Sequence, residues 1–571
     1  TKVSTGRRVT LPTYAFQRSR FWVETSGQRR ASEPVLVQAP AADDGFWGAV
    51  EAADLDSLAN ALRVDDAGQR SSLAALLPAL TSWRRSHKQR STLDTWRYQI
   101  AWKPASLPPT IGDIAGTWLI VGPSEPEDAE LAELIEQALV SAGAKVIQVE
   151  VDEDDPDRED VARRLKRACG DRVSPEAEAE HEHGTALRGV ISLLAMVDTP
   201  VAEQPTLPAG LLLDLALIQA LGDAQIIAPL WILTRGAVST GRADHLDHPL
   251  QAMSWGLGRV AALEHPDRWG GLIDLPAALD LKASRRMLAI FGQPGAEDQL
   301  AIRNTGVFVR RLERAPVTEL SDVKPWKPRG TVLVTGGTGT LGARVTRWLA
   351  GAGAEHLVLT SSTGPDAKLN ELGTRVSLVT CDTTDREALA TLLDQLDAEG
   401  ETITAVIHAD GVNQQTPLAE ITMAEAIKVA AGKVSGARHL HELLKDQPLD
   451  AFVSFSSIAG VWGSGRQGMY AAANAFLDAF VEHRVGLGLP AMSVAWSAWA
   501  SSSADDPSQH DLRRRGLEPL DPKLAIAALQ QGLDHSDTNI IIADVDWARF
   551  TPSFAASRAT GRLPRPTRAT A

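Results

Sequence analysis

A glycine-rich turn between an apolar strand and a helix is the feature that most restricts how this chain can fold. Residues 332–342 read VLVTGGTGTLG, and the helical pattern ARVTRWLAGAG follows them. The first two glycines allow a tight turn, the third lets a phosphate approach the backbone, and the last lets the helix pack on the strand. Because the strand precedes the turn and the helix follows it, the pattern predicts a dinucleotide site. Its candidate cofactor-binding residues are Thr335, Gly336, Gly337, Thr338, Gly339, Thr340, Leu341 and Gly342.

A second pattern, SFSSIAGVWGSGRQGMYAAAN, runs from Ser454 to Asn474. A strand, loop and helix here would place Ser457 at a strand end and Tyr470 on the helix, with Asn474 one turn later on the same face. A phenol beside a hydroxyl can hydrogen bond to a carbonyl and protonate it while hydride arrives. A buried tyrosine can also simply satisfy a backbone group. The chain has only 3 tyrosines in 571 residues, which favours a specific role for this one.

Composition excludes several classes of function. The net charge of −15 argues against binding to nucleic acid or to an anionic membrane surface. Two cysteines, Cys169 and Cys381, indicate no disulfide framework and suit a reducing cytoplasm. No apolar run is long enough to span a membrane. The sequence contains no pattern that predicts a metal site. The opening TKVSTGRR, without methionine or signal segment, is typical of a piece of a longer protein.

The length predicts several domains, and the hydrophobic patterns along the chain indicate their boundaries. Two stripes of leucine and alanine at helical spacing, around 55–62 and 73–80, predict two helices that must dock on the next domain or on a second copy of themselves. Pro78 should kink the second helix or mark its start. Strands and helices then alternate twice, which predicts α/β architecture with doubly wound parallel sheets. The predicted segments are a linker at 1–45, a helical element at 46–95, a cofactor-free Rossmann-like half at 96–324, a cofactor-binding Rossmann half at 325–550, and a linker at 551–571.

The two halves differ at the first strand-to-helix turn. In the first half this turn reads Val121-Gly122-Pro123-Ser124, with one glycine where phosphate binding would need several. This favours a structural role. In the second half, the second strand ends in Ser361, Ser362 and Thr363, without the acid that would bind the ribose of NAD, which favours NADP. Asp382 is placed where it could meet an adenine amino group, and Thr383 follows it.

Residues 325–550 resemble the catalytic half of a ketoreductase domain of a modular type I polyketide synthase, a complex short-chain dehydrogenase/reductase. The motifs that carry the resemblance are GGTGTLG (336–342), CDTTD (381–385), HADGV (408–412), GKVSGARHLHEL (432–443), FSSIAGVWGSGRQGMYAAANAFLDA (455–479) and ADVDWARF (543–550). WRYQIAW, PLWILTRGAV and WGLGRVAALEHPDRWGGLIDLP resemble that domain's structural half. Residues 10–24 resemble the linker after an acyltransferase, and 46–95 a dimerization element.

The resemblance implies an NADPH-dependent β-ketoacyl reductase that acts on a chain attached to an acyl carrier protein. It assigns four residues to a catalytic tetrad. Tyr470 is the proton donor, Ser457 binds the ketone oxygen, Lys433 is the cation that lowers the tyrosine pKa, and Asn474 completes the tetrad. In most short-chain reductases the lysine lies four residues after the tyrosine; here that position is Asn474. The resemblance also implies neighbouring synthase domains, a homodimer through 46–95, and a mobile lid within 501–522.

Stereochemical markers can be assigned in the same way. Asn413, Gln414 and Gln415 replace the Leu-Asp-Asp of relatives that form a D-hydroxyl. Trp462 occupies the position of the tryptophan that marks L-hydroxyl formation, and is expected on one wall of the pocket. Gln467 is not the histidine associated with an epimerised α-substituent. Together they imply the A1 type. Ser361-Ser362 replaces the usual Ser-Arg, and Asp410 stands where a small residue is common.

Two other hypotheses remain open at this point. One is a redox-inactive nucleotide-binding scaffold of a synthase module, and the other is a domain kept only for epimerisation. Both conflict with a complete set of four catalytic positions.

Overall fold

The chain forms two units, Thr1–Lys88 and Gln89–Ala571. The computed structural model describes residues 41–106, 112–124, 129–153, 156–170, 187–202, 204–293, 297–317, 324–361, 373–501 and 507–555. The predicted linker at 1–45 therefore lies largely outside the described residues, as do Ser362, Thr363 and 556–571.

The described part of the first unit contains α1 (Ala41–Glu51), α2 (Leu55–Leu62) and most of α3 (Ala67–Trp96), whose residues from Gln89 onward belong to the second unit. The Asp54 side chain caps α2 by accepting the N–H groups of the next turn. Val50, Leu58 and Leu77 are buried together between the helices. One expectation was wrong here, because a helix already begins within the predicted linker. Of the two alternatives for Pro78, a helix start is excluded, since α3 runs through this residue.

The second unit alternates strands and helices. The first half contains β1 (Arg97–Ala105), β2 (Gly116–Pro123), α4 (Ala129–Ser141), β3 (Ala144–Val151), α5 (Arg158–Cys169), β4 (Leu187–Ser192), β5 (Pro200–Val201), β6 (Gln204–Pro208), α6 (Ala209–Asp223), β7 (Leu230–Arg235), α7 (Ala252–Glu264), β8 (Trp269–Leu275), α8 (Leu281–Phe291), β9 (Gln299–Arg303) and β10 (Gly306–Arg314). Short 3₁₀ turns occur at Leu194–Met196, Pro249–Gln251 and Pro266–Arg268.

The second half begins with the glycine-rich turn region. It contains β11 (Thr331–Thr335), α9 (Thr340–Ala352), β12 (His356–Ser361), β13 (Arg375–Thr380), α10 (Arg386–Ala398), β14 (Ile403–His408), α11 (Met423–Leu444), β15 (Ala451–Ser457), α12 (Ile458–Trp462), α13 (Gly468–Gly486), β16 (Met492–Trp496), α14 (Pro507–Arg514), β17 (Leu517–Glu518), α15 (Pro522–Asp534), β18 (Asn539–Ile542), β19 (Asp544–Val545) and α16 (Trp547–Ala555). A 3₁₀ turn occurs at Leu418–Glu420.

One 15-stranded sheet passes through both halves, in the order β13-β12-β11-β14-β15-β16-β18-β1-β10-β9-β8-β7-β4-β2-β3. Seven parallel strands form the end of the sheet in the second half, from β13 to β18. The other end has parallel strands from β9 to β3. Antiparallel β1 and β10 join them, with Tyr98 opposite Ile541 on one side and Arg314 on the other. The predicted doubly wound α/β fold is confirmed, and the two halves share one sheet.

The inner parallel strands are buried on both faces, as such sheets require, whereas the edge strand β13 is partly exposed. In β11, for example, Val332, Leu333 and Val334 are all fully covered. The C-terminal boundary differs from the expectation, because α16 continues to Ala555 and Phe554 is buried in an aromatic cluster. No helix in the described ranges combines the length and apolar character needed to cross a membrane.

Candidate active site

The candidate site lies at the carboxyl ends of β11, β14 and β15, where the strand order reverses. Such a reversal opens a crevice at the edge of a parallel sheet. Thr335, His408 and Ser454 lie side by side across these strands. The Thr335 hydroxyl lies 2.8 Å from His408 Nδ1, and His408 Nε2 lies 3.0 Å from the backbone oxygen of Lys433. This buried histidine therefore connects the start of the glycine turn to the helix that carries the lysine.

The glycine turn is packed too tightly for side chains. Gly336 has φ +65°, and a Cβ there would lie 2.8 Å from Asp410 Oδ1. A Cβ on Gly342 would lie only 2.2 Å from the oxygen of Gly336, so this glycine lets α9 pack on the turn itself, whereas the pattern predicted packing on the strand. Gly337 is the glycine that packs against the neighbouring strand, since a Cβ there would lie 3.0 Å from Leu359 Cβ.

The start of α9 fits a phosphate group. Gly339 is the N-cap residue, and no side chain caps the helix. The first N–H groups of a helix lack partners within the helix, and Thr340 and Leu341 belong to this first turn. The residues present therefore fit the pyrophosphate of a dinucleotide.

The remaining candidate cofactor residues follow β12 and β13. Thr338 donates its hydroxyl hydrogen to the Ser361 hydroxyl at 2.7 Å. Asp382 is exposed, and its carboxylate accepts hydrogen bonds from the N–H and hydroxyl of Thr384. Thr383 is buried and donates to Asp410 Oδ2 at 3.0 Å. Ser362 lies outside the described residues.

The serine, tyrosine and asparagine converge as the spacing predicts. Ser457 is the last residue of β15 and the N-cap of α12. Tyr470 lies in the first turn of α13, and Asn474 Nδ2 donates to the Tyr470 backbone oxygen at 2.7 Å. Burial raises the pKa of the Tyr470 phenol, while side-chain hydrogen bonds with Ser457 and Asn474 oppose that shift. Asn474 Oδ1 is buried without a hydrogen-bond partner among the described residues, so it remains available as an acceptor.

Lys433 reaches the same place from α11. Its side chain is 4% exposed, its Nζ donates to the Phe455 oxygen at 2.7 Å, and Nζ lies 5.8 Å from the centroid of the Tyr470 ring. Burial lowers the pKa of Lys433 to about 8, and the charges of Asp410 and Asp478 oppose this. The expected fall in the tyrosine pKa is not seen: burial of the phenol dominates, and the ammonium is directed at a backbone carbonyl.

Three family models match successive parts of this chain. The family model of the KR domain matches residues 330–501, that of the polyketide synthase dimerisation element matches 43–90, and that of the Rossmann fold domain of the polyketide synthase extender module SpnB matches 100–312. Polyketide synthase GfsA of Streptomyces halstedii is 47% identical over 97% of this chain, and the pikromycin synthase component PikAIII of Streptomyces venezuelae is 44% identical over 83%. The chain spans 7% and 29% of their lengths.

Solved structures match over nearly their whole lengths. An A1-type ketoreductase has a TM-score of 0.74 at 43% identity, with 84% of this chain and 97% of that chain covered. A C2-type ketoreductase from a modular polyketide synthase has a TM-score of 0.73 at 42% identity, with 82% and 97% covered. The chain belongs to the ketoreductase family of modular polyketide synthases. Since both types match almost equally, overall similarity does not distinguish the stereochemical type of this ketoreductase.

Two loops of the ketoreductase meet in front of Tyr470. Gln467 Nε2 donates to Asn413 Oδ1 at 2.8 Å. The Gln414 side chain is buried, and its Oε1 accepts the N–H groups of Met469 and Tyr470, so it caps the helix that carries the tyrosine. Gln415 offers its backbone oxygen to the Arg466 guanidinium. The loop at 413–415 thus holds the start of the helix that carries Tyr470.

Trp462 lies differently from the expectation. Its side chain is only 5% exposed, and it packs against Phe550 and Trp547 of α16, with ring centroids 5.6 and 6.5 Å apart. Leu512 of α14, within the predicted lid, packs against the same aromatic cluster. The indole therefore belongs to this buried aromatic cluster instead of forming an open pocket wall. The physical reason for this burial is that α16 supplies Trp547 and Phe550, which pack against the indole.

Asp410 makes contacts around Lys433 and His408 that the sequence pattern did not predict. Its carboxylate accepts from Thr383, lies 4.0 Å from His408 Nδ1 and raises the pKa of Lys433 against burial. HADGV already put a histidine and an acid at a strand end, which is the signal that could have identified this pair.

Proposed function

We propose that this chain reduces the ketone of a β-ketoacyl thioester, carried by an acyl carrier protein, to a β-hydroxyacyl thioester with NADPH. The observation that carries the proposal is the meeting of Tyr470, Ser457, Lys433 and Asn474 beside a glycine turn that fits a dinucleotide. Bound NADPH would supply the hydride, held by the glycine turn and the start of α9.

The protein residues would manage the oxygen and the proton. The Ser457 hydroxyl would donate a hydrogen bond to the ketone oxygen, and the Tyr470 hydroxyl would transfer its proton to that oxygen as it becomes an alkoxide. The Lys433 ammonium would stabilise the phenolate that remains. Asn474 would fix the tyrosine backbone through its bond to the Tyr470 oxygen and offer its free Oδ1 to a proton donor.

We propose NADPH over NADH because β12 ends in Ser361 without an acid that would repel the 2′-phosphate. We propose the A1 type, with an L-hydroxyl and an unchanged α-substituent, because Trp462 is present and Gln467 replaces a histidine. The hydrogen bond from Gln467 to Asn413 gives Gln467 a defined position beside Tyr470.

The decisive experiment is an assay of nicotinamide oxidation with a β-keto thioester, followed by chiral analysis of the product. We expect turnover with a higher kcat/KM for NADPH than for NADH, and a single L-hydroxy product. No oxidation would leave the redox-inactive scaffold or the epimerase-only domain, and exchange of the α-hydrogen without reduction would identify the latter. A D-hydroxy product would reject the A1 assignment.

We propose that the intact protein is a cytoplasmic homodimer. Other synthase domains would flank this chain, with the acyltransferase on its N-terminal side. The proposed division keeps a linker at 1–45, a dimerisation element at 46–95, a structural half at 96–324 and a catalytic half from 325, extended to 555 by α16. The outgoing linker would then follow. Leu76 is 58% exposed and Trp83 53% exposed on α3, an apolar surface that a second copy would cover.

Replacement of Leu76 by glutamate is expected to convert a dimer into a monomer in sedimentation experiments, because the charge would be buried in the interface. Leu281→Glu is the matched control, since Leu281 is 70% exposed on α8 in the other unit and should leave the dimer intact. A monomeric wild-type chain, or a dimeric Leu76→Glu variant, would reject this interface. A variant that lacks the helical dimerisation element should be deleted only up to Lys88, because Leu93 and Trp96 pack in the core of the second unit.

A further inference from the structure

Helix α7 of the structural half lies directly against the catalytic helix α13. A Cβ on Gly256 would lie 2.3 Å from the oxygen of Ala471 and 2.6 Å from the Cα of Ala472. The two backbones therefore touch at the residue after Tyr470. Only glycine permits such an approach.

The next turn of α7 holds the segment after Ser457. Arg259 is buried; its Nη1 donates to the Gly460 oxygen in the last turn of α12, and its Nε donates to Gln299 Oε1 at 3.0 Å. A Cβ on Gly463, at φ +87°, would lie 2.8 Å from the Arg259 oxygen. A cation at the end of a helix satisfies carbonyl groups that have no partner within it.

The last residue of α7, Glu264, binds both loops in front of Tyr470. Its Oε2 accepts the N–H of Leu418 at 2.7 Å, and its Oε1 accepts the N–H of Arg466. Arg466 has φ +68°, a conformation that is uncommon for a residue with a side chain. Hydrogen bonds from N–H groups to a carboxylate are among the stronger ones in proteins.

The two loops are also joined to each other. Thr416 N–H donates to the Arg466 oxygen at 2.9 Å, and the Arg466 guanidinium donates to the Gln415 oxygen at 3.0 and 3.2 Å. Gln414, in the same loop, caps the helix at Tyr470. A shift of either loop therefore changes the position of the tyrosine and of the Asn413–Gln467 pair together.

We propose that Glu264 of the structural half is a positioning residue for ketone reduction: by binding the N–H groups of Arg466 and Leu418 it sets the two loops that orient Tyr470 and determine which face of the ketone is reduced. This inference rests on the proposed function for its chemical outcome. The loop ordering itself does not depend on it. The cofactor-free half then contributes to stereochemical control as well as to stability.

The test compares Glu264→Gln and Glu264→Ala in the full chain. We expect the variants to fold. In Glu264→Ala, kcat/KM for the thioester should fall by about tenfold or more, because hydrogen bonds to a charged group contribute that much. The D-hydroxy product, which we expect to be absent with the wild type, should appear. Nicotinamide affinity should not change. Hydrogen exchange at the amides of Arg466 and Leu418 should accelerate in Glu264→Ala, with a smaller effect in Glu264→Gln, which keeps one acceptor.

Asp280→Asn is the matched control, because Asp280 also binds a backbone N–H in the structural half, that of Ala283 in α8. It should leave product stereochemistry and loop exchange unchanged. Unchanged product ratio and KM in Glu264→Ala, with unchanged exchange at the two amides, would reject the proposal. If the wild type does not reduce the substrate, the proposed function fails, whereas the exchange measurement still decides whether Glu264 orders the loops.

Discussion

Replacement of Tyr470 by phenylalanine is expected to lower the rate of ketone reduction by about 100- to 10,000-fold, the usual contribution of a positioned general acid. Tyr470 lies in the first turn of α13, outside the glycine turn at 336–342, so loss of its hydroxyl removes the proposed proton donor without changing the cofactor site. Burial raises the pKa of Tyr470, which keeps the phenol protonated at neutral pH. Nicotinamide affinity, measured by fluorescence titration, should not change.

Tyr98→Phe is the matched control for this result. Tyr98 is fully buried, and its hydroxyl accepts the indole N–H of Trp547 at 2.9 Å. Its loss can lower the unfolding temperature, but should leave the reaction rate of the folded protein unchanged. Wild-type activity in Tyr470→Phe would contradict the proposed mechanism.

The second large effect concerns Lys433. Its replacement by methionine, which keeps the length and apolar stem, is expected to lower kcat by about 100- to 1000-fold, a typical loss when one preorganised electrostatic contact is removed. In the wild type, burial brings the pKa of Lys433 down to about 8. The ammonium is therefore present below pH 8 and lost above it, so kcat should fall above pH 8. The methionine variant should lack this dependence.

A loss of stability caused by Lys433 cannot explain the fall of kcat above pH 8. The pKa of Lys433 is lower in the folded protein than the ordinary 10.5, so between pH 8 and 10.5 the unfolded chain binds more protons. The contribution of Lys433 to stability therefore rises over that range, while activity falls. Lys428→Met, on the exposed face of the same helix, is the control and should retain the wild-type profile. A flat wild-type profile from pH 6 to 10 would contradict the role of Lys433.

Local spacing predicted much of the site. The strand, turn and helix around 331–352 follow from apolar residues on one side of the glycines and a helical period on the other. Ser457 at a strand end and Tyr470 and Asn474 one turn apart are also local relations, and the structure has them as expected. The lysine was assigned through the family resemblance, since nothing near residue 433 indicates which helix it must face.

Other features depend on residues far apart in the chain. Burial of Trp462 required the aromatic residues of α16, about ninety positions later, and capping of the catalytic helix by Gln414 joins positions 56 apart. Glu264 contacts Arg466 across 202 positions. Such contacts leave no periodic signal, because neither partner's neighbours show where the other will lie.

The sequence alone determined the fold class, the dinucleotide-binding turn and the local order of serine, tyrosine and asparagine, because each depends on residues within a few turns of one another. The tertiary structure decided that the two halves share a single sheet, that the Lys433 ammonium is directed at a backbone carbonyl, and that Glu264 of the first half binds the backbone N–H groups of Leu418 and Arg466. These depend on packing and burial, which only the folded chain defines.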